Sequence, residues 1–310
     1  MTRLHHSIPV VVALLTASAG AQQTATSTKF NARDVFELEW VSDPQISPDG
    51  RRVIFGRTRY DIMTDVNRSA LWIANSDGSD VRALLSPERQ VSSPRWSPDG
   101  GRIVFVSTVG GKPELIVRRM ASGQEKRLTK LADSPGGLTW SPDGRWIAFT
   151  MFVPAEQQKP PVNMITPPKS ANWGPPLKYI ESLNYRADGE GYVRPGYRHI
   201  FVLPADGGAR RQVTNGSFDD GAPVWTPDGK TLVFSANRAA EAEYNPLEAE
   251  IYDLTLATGA ITQLTHRKGP DFSPAVSPDG KLIAYAGLDD REKGYQASHL
   301  YVMNRDGSDS

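Results

Sequence analysis

Apart from His5 and His6 at the very start, the chain has three histidines, His199, His266 and His299, the first residues to test for acid–base or metal chemistry near neutral pH. None lies in a His-Glu-x-x-His arrangement, and the 310-residue sequence contains no cysteine, so a zinc site of nitrogen and sulfur ligands lacks its donors. A hydrolytic serine of the α/β type needs a Gly-x-Ser-x-Gly elbow that holds the nucleophile on a strained strand-to-helix turn, and no such sequence occurs. No glycine-rich phosphate cradle leads from a strand into a helix either. Asp49, Asp99, Asp143, Asp228 and Asp279 recur in the same tetrapeptide setting, but a calcium loop gathers several oxygen donors within one segment, and these stand one per segment. An acidic run holding Glu241, Glu243, Glu248 and Glu250 reads as a solvated face. His199 and His299 occupy the same point of a repeat, which favours a structural role. The expectation is therefore no catalytic residue in this chain, no metal and no cofactor.

The elements that would position any site follow from a repeated tetrapeptide. Ser47-Pro48-Asp49-Gly50 returns at 97–100, 141–144, 226–229 (with Thr226 leading) and 277–280, at intervals of 50, 44, 85 and 51 residues. Proline pre-sets φ at the second position of a turn, aspartate bonds the backbone ahead of it, and glycine accepts positive φ, so each copy is a hairpin turn. Apolar runs of strand length follow, such as Arg102-Ile103-Val104-Phe105-Val106 and Leu282-Ile283-Ala284-Tyr285, rich in β-branched and aromatic residues. Trp96, Trp140 and Trp225 precede three of the turns and are expected in the core, against a neighbouring repeat. A second module, for example Leu71-Trp72-Ile73 then Asp77-Gly78, or Ile251-Tyr252-Asp253 then Thr258-Gly259, adds a second hairpin. Two hairpins make one four-stranded blade, and the spacing is that of an all-β propeller. Five repeats are visible. The last breaks off at Gly307-Ser308-Asp309-Ser310, where a fourth strand should begin, so the ring is expected to be incomplete in this chain and the sequence to be a truncated piece.

Outside the repeat, residues 1–21 have the parts of an export signal. Arg3, His5 and His6 precede an apolar run from Ile8 to Leu15, and Ala19-Gly20-Ala21 suits cleavage after Ala21. The run is too short to cross a bilayer and no later stretch is long enough, so an exported, periplasmic or secreted protein without a membrane span is expected. Lys plus Arg and Asp plus Glu both number 35, leaving no net field to gather nucleic acid. In the N-terminal segment 22–40, Asn31 is placed to cap a short helical turn. The propeller proper is assigned to 41–310, interrupted at 154–198 by an insertion carrying Pro160-Pro161, Pro167-Pro168, Pro175-Pro176 and then Tyr179, Tyr185, Tyr192 and Tyr197. Long loops of this kind in compact domains are commonly functional.

The repeats resemble those of the periplasmic protein of the Tol system and of prolyl oligopeptidase-family serine peptidases. Three stretches resemble the dipeptidyl and acylaminoacyl peptidase branch more closely: Val41-Ser42-Asp43-Pro44-Gln45-Ile46-Ser47-Pro48-Asp49-Gly50, Tyr60-Asp61-Ile62-Met63-Thr64-Asp65 and Leu183-Asn184-Tyr185-Arg186-Ala187-Asp188-Gly189-Glu190-Gly191-Tyr192. The resemblance implies a parent enzyme whose serine, histidine and aspartate lie in a C-terminal α/β-hydrolase domain absent from this sequence, and a propeller that admits only short peptides to it. That missing domain and short peptides are the expected partners. Tyr185, Arg186 and Tyr192 become candidates for contact with substrate or with the neighbouring domain. The propeller glutamates by which some dipeptidyl peptidases hold a substrate's amino terminus have no visible match in Glu241, Glu243, Glu248 or Glu250. Two other readings stand beside this one: a stand-alone interaction propeller of the Tol type, and a propeller enzyme of the lactonase kind with its site in the central channel.

Overall fold

A computed structural model describes residues 29–86, 89–156, 165–174 and 178–310; the export-signal segment, residues 1–21, lies outside the described residues. Ala32–Glu37 is a short 3-10 helix capped by Asn31, whose side chain accepts from the Arg33 N–H while the Asp34 carboxylate accepts from the Asn31 N–H in return. All else that is regular is antiparallel β-structure. Blade 1 comprises Glu39–Ile46, Arg52–Asp61, Val66–Asn75 and Arg82–Ala83; blade 2 comprises Gln90–Trp96, Arg102–Val109, Lys112–Arg119 and Glu125–Lys130. Blade 3 comprises Gly136–Trp140, Trp146–Pro154, Gly196–Pro204 and Arg211–Gln212, and blade 4 Val224–Trp225, Thr231–Ala236, Glu250–Thr255 and Ala260–Gln263. In the fifth sheet Asp271–Val276, Leu282–Gly287 and His299–Asn304 pair in that order. The all-β propeller of four-stranded blades expected from the repeat is the fold observed.

Each Ser/Thr-Pro-Asp-Gly segment joins the first strand of its blade to the second. In blade 1 the Asp49 carboxylate accepts from the Ser47 hydroxyl and from the Arg51 N–H, Ser47 Oγ accepts from the Arg52 N–H, and the Gly50 N–H closes the turn on the Ser47 carbonyl at 2.8 Å. The same network recurs around Asp99, Asp143, Asp228 and Asp279. The hydroxyl first, and then the backbone N–H, hold all five carboxyls below their ordinary pKa. These aspartates are turn residues, as their single spacing implied.

The turns also stack from blade to blade. A Cβ placed on Gly100 would meet the Pro48 ring at 3.5 Å, one on Gly144 would meet Pro98 at 3.7 Å, one on Gly229 Pro142 at 3.8 Å, and one on Gly280 Pro227 at 3.5 Å. Just above this layer the indole N–H of Trp96 reaches back to the Gln45 carbonyl at 3.1 Å, Trp140 to Arg95 at 3.1 Å and Trp225 to Thr139 at 3.4 Å. The expected burial of the three tryptophans is confirmed. Arg52 and Arg102 lie over the rings of Trp96 and Trp140, 5.3 and 4.9 Å from the centroids. Blade 5 carries Val276 at the corresponding point, so the joint between blades 4 and 5 has no indole.

The core is four slabs, each shared by two consecutive sheets. Phe105, Phe149, Phe234 and Tyr285 hold equivalent positions on the second strands and are all essentially inaccessible. Three of them stack on a cross-strand aromatic, Phe149 on Phe201, Phe234 on Tyr252 and Tyr285 on Tyr301, with centroids 5.4–5.8 Å apart. Among the described residues, no contact links the first sheet to the fifth.

The tryptophan joint makes a measurable claim. Trp140→Phe keeps most of the packing but leaves the Arg95 carbonyl without its donor, so urea unfolding should show a loss of ~1–2 kcal/mol. Trp146→Phe, on the exposed side of blade 3, should stay within about 0.5 kcal/mol of the parent.

Candidate functional site

Strand reversal divides each blade into two ends. The turns joining strands one to two and three to four lie at one end; the links between strands two and three, and from one blade to the next, lie at the other. The long insertion of blade 3 (155–195), the acidic insertion of blade 4 (237–249) and the loop 288–298 of the fifth sheet all join second to third strands. They share the end opposite the stacked turns. That end carries the side chains of varied chemistry, and it is the candidate site.

Within the blade 3 insertion Arg186–Ala187 and Gly191–Tyr192 form a small hairpin, with Arg186 opposite Tyr192 and Ala187 opposite Gly191. Gly189 and Gly191 take φ of +75° and +80°, which an L side chain rarely adopts. The hairpin brings the three sequence candidates together. The rings of Tyr185 and Tyr192 lie 6.4 Å apart, the Arg186 guanidinium is 5.9 Å from the Tyr192 centroid, and Lys178 Nζ sits 3.3 Å from it. Tyr185 and Tyr192 remain roughly half exposed, and Trp173, Ile180 and Leu183 are exposed in the same insertion. The result is a pair of tyrosines with two cations, Lys178 seated over one face of Tyr192, able to stack on a planar or apolar group and to pair with a carboxylate.

The insertion is tied down at two places. The Glu243 carboxylate accepts from the backbone N–H groups of Leu183 and Asn184, the latter at 3.2 Å. At its return, Arg194 Nη2 donates to Asp133 at 2.6 Å and lies over the Phe152 ring at 4.5 Å. The acidic run was read as solvated, and for Glu243 the structure corrects this: it bridges the insertions of two blades.

Glu250 departs further from that reading, since it begins a strand and is 6% exposed. It accepts from the Thr265 hydroxyl. Burial pushes its carboxyl up to about 7, with the Asp271 carboxylate adding to the rise and the Thr265 hydroxyl opposing it. Nearby Arg267 pairs with buried Asp271 and, at 3.3 Å, with Asp289, and its guanidinium lies 3.8 Å from the Tyr301 centroid. One blade earlier, Arg238 Nη2 donates to Asp220 Oδ1 at 2.6 Å while His199 Nδ1 is 3.4 Å from Asp220 Oδ2. The His199 ring is thus held against Asp220 among buried groups. Among the described residues no group of three His, Cys, Asp or Glu stands close enough to hold a metal ion. Sequence reasoning missed Glu250, Asp220 and Asp271. The only sequence signal was that Asp220 and Asp271 both stand five residues before the last residue of an inner strand.

The architecture defines a β-propeller whose insertions crowd one end. Residues 188–290 match the dipeptidyl peptidase IV N-terminal region. An uncharacterized peptidase YuxL of Bacillus subtilis is 30% identical over 66% of this chain and 31% of its own length. Dipeptidyl-peptidase 5 of Porphyromonas endodontalis is 26% identical over 96% of this chain and 44% of its own. A Tol-Pal system protein TolB of Francisella tularensis is 31% identical over 41% of this chain and 27% of its own length. In solved structures the fold matches an acylaminoacyl peptidase with a TM-score of 0.65 at 15% identity, over 86% of this chain and 38% of that one. The propeller is related to the N-terminal regions of dipeptidyl peptidases and to the TolB propellers. It spans less than half the length of these curated relatives.

Two outcomes test the electrostatics of this end. A folded-state pKa raised from 4.5 to about 7 makes Glu250 stabilising while protonated, and that contribution fades as pH rises through about 7. Glu250→Gln should therefore be ~1–3 kcal/mol more stable than the parent in urea above that pH, with the difference vanishing below the ordinary carboxyl range. Glu243→Ala should speed amide hydrogen exchange at Leu183 and Asn184 while leaving global unfolding within about 0.5 kcal/mol.

Proposed function

We propose that this chain is the gating propeller of an exported serine peptidase, with the insertion-bearing end turned toward the catalytic domain. The observation that carries the reading is the alignment of 96% of the chain with dipeptidyl-peptidase 5. The geometry supports it. The end opposite the stacked turns holds the half-exposed platform of Tyr185, Arg186 and Tyr192 on a tethered insertion, a placement suited to contact with a second domain and with substrate entering between the two. In this reading the catalytic serine, histidine and aspartate belong to the other domain, and acyl transfer from a short peptide takes place there. The propeller supplies exclusion: stacked blades bar folded proteins and long chains. Localisation rests on the leader, Arg3 with the Ile8 to Leu15 run and Ala19-Gly20-Ala21, and export to the periplasm or beyond is part of the proposal.

The experiment uses the full product of the gene encoding this chain. A fluorophosphonate probe should label one serine outside the 310 residues, and the preparation should cleave short peptides. Replacing Tyr185, Arg186 and Tyr192 together by Ala should lower kcat/KM for short peptides by about tenfold, near 1.4 kcal/mol of lost transition-state stabilisation, with the unfolding midpoint unchanged. Absence of any labelled serine and of peptide cleavage removes the peptidase reading.

The local 31% identity with TolB favours one second reading, an interaction propeller of the bacterial envelope. Specific co-purification of an envelope lipoprotein with the mature chain, without serine labelling, supports that reading instead.

A further inference from the structure

We infer that Asn215 is a site of spontaneous chemical modification, deamidation through a cyclic imide, and that the fold directs this chemistry to it by shielding the other glycine-flanked positions. The reaction needs a side-chain carbonyl carbon followed by a backbone nitrogen free to attack it, and glycine leaves that nitrogen least encumbered. Asn215-Gly216 is the one Asn-Gly sequence in the chain, against ten Asp-Gly sequences.

Nine of those ten are blocked in the same manner. The glycine N–H is donated to a backbone carbonyl: Gly50, Gly100, Gly144, Gly229 and Gly280 within the inner-strand turns, Gly78, Gly207 and Gly307 within the outer turns, and Gly221 to Ser235 across the blade. A nitrogen whose N–H is committed to an acceptor in a turn must break that bond and unwind the turn before it can attack. In the inner turns the aspartate carboxylate is itself held by a hydroxyl and a backbone N–H. The tenth, Asp188-Gly189, is not shielded in this way, but a carboxylate must first take up a proton and then lose water where an amide loses ammonia, so it reacts more slowly.

Asn215 is on the surface in the link from blade 3 to blade 4, and among the described residues the Gly216 N–H meets no acceptor. Gly216 takes φ of +108°, outside the range that fixes a regular turn. The step balances with water alone. The Gly216 nitrogen gives up its proton and bonds to Asn215 Cγ; the Cγ–Nδ2 bond breaks and ammonia leaves with that proton. One water then opens the imide at either carbonyl, yielding aspartate or isoaspartate.

The position gives the product consequences. Immediately before it, buried Thr214 accepts the Ile200 N–H at 2.8 Å and its carbonyl accepts from Gln212 Nε2. A few residues later, Asp219 holds the Arg198 N–H at 2.7 Å and Asp220 holds Arg238 and His199. An isoaspartyl link inserts one extra backbone carbon between these anchors and brings a new negative charge to a segment that already carries two carboxylates. The modification thus marks the age of the molecule in the link that seats blade 4.

The test is peptide mapping of the intact chain after prolonged incubation in mildly alkaline buffer, with an isoaspartyl carboxyl methyltransferase as the second readout. The native protein should gain one mass unit in the peptide spanning 215 and accept methyl groups there, before any Asp-Gly peptide does so. Asn215→Gln, which needs a larger ring, should abolish both signals. In a urea-unfolded sample the freed Asp-Gly sequences should form isoaspartate faster than they do in the native chain, though still more slowly than Asn215. An Asn215 that stays intact in the native chain while converting in urea overturns the inference, as does earlier isoaspartate at the inner-strand turns.

Discussion

The indole of an inner-strand tryptophan donating to the carbonyl one blade behind it is the contact on which the arrangement of blades rests. A blade is a twisted antiparallel sheet with two apolar faces, and it is stable only when both are covered by neighbours. Face-to-face packing of aliphatic side chains is indifferent to small slides. A hydrogen bond from a rigid two-ring side chain to one carbonyl is not. Trp96, Trp140 and Trp225 fix the height of each blade against the last, and the proline-on-glycine stacking of the turns fixes its rotation. The glycine is needed at that place for its positive φ, since a Cβ there would meet the proline ring of the preceding blade only at ordinary contact distance.

Blades 4 and 5 are joined differently. Val276 leaves that joint without an indole, and its polar content comes instead from charged groups: Arg267 with Asp271 and Asp289 at the insertion end, and Arg305 with Asp253 nearer the turns. Asp271 is fully buried and its Oδ2 finds no partner among the described residues. Ionic joints of this kind gain less from packing than they lose in desolvation unless every donor and acceptor is met, whereas an indole joint carries only one polar atom to satisfy. The joint is correspondingly more sensitive to protonation than the others, because Glu250 stands beside the same aspartate.

The turns and strands of the repeat, and outside it the helical cap at Asn31, were legible in the sequence because each depends on local chemistry: a fixed φ at proline, an αL glycine, a side-chain oxygen over a backbone N–H. The burial of the tryptophans was legible for the same reason, since they stand at a constant offset from those turns. Their indole bonds were not, because the acceptor lies 45 to 86 residues away. The candidate site was legible only in part. Tyr185, Arg186 and Tyr192 fall on one short hairpin and so meet by local pairing. Glu243 looked like one more solvated carboxylate, and its role appears only when an insertion of the preceding blade arrives above it. Glu250 was misread because sequence places it at the end of an acidic run, while the strand register places it at the mouth of the core, opposite Ala236.

The two ends of the propeller therefore divide the physical tasks. At the turn end the polar groups are committed to one another in a repeated pattern, and that uniformity leaves little to distinguish one blade from the next. At the other end the connections differ in length and charge, and side chains from separate blades meet there: Glu243 with the blade 3 insertion, Arg194 with Asp133. Variation is tolerated at that end because the turn end has already fixed the spacing of the blades. A surface whose chemistry can change without disturbing the ring is where a propeller can acquire a specific partner, and in this chain the half-exposed tyrosines and their cations stand on that surface.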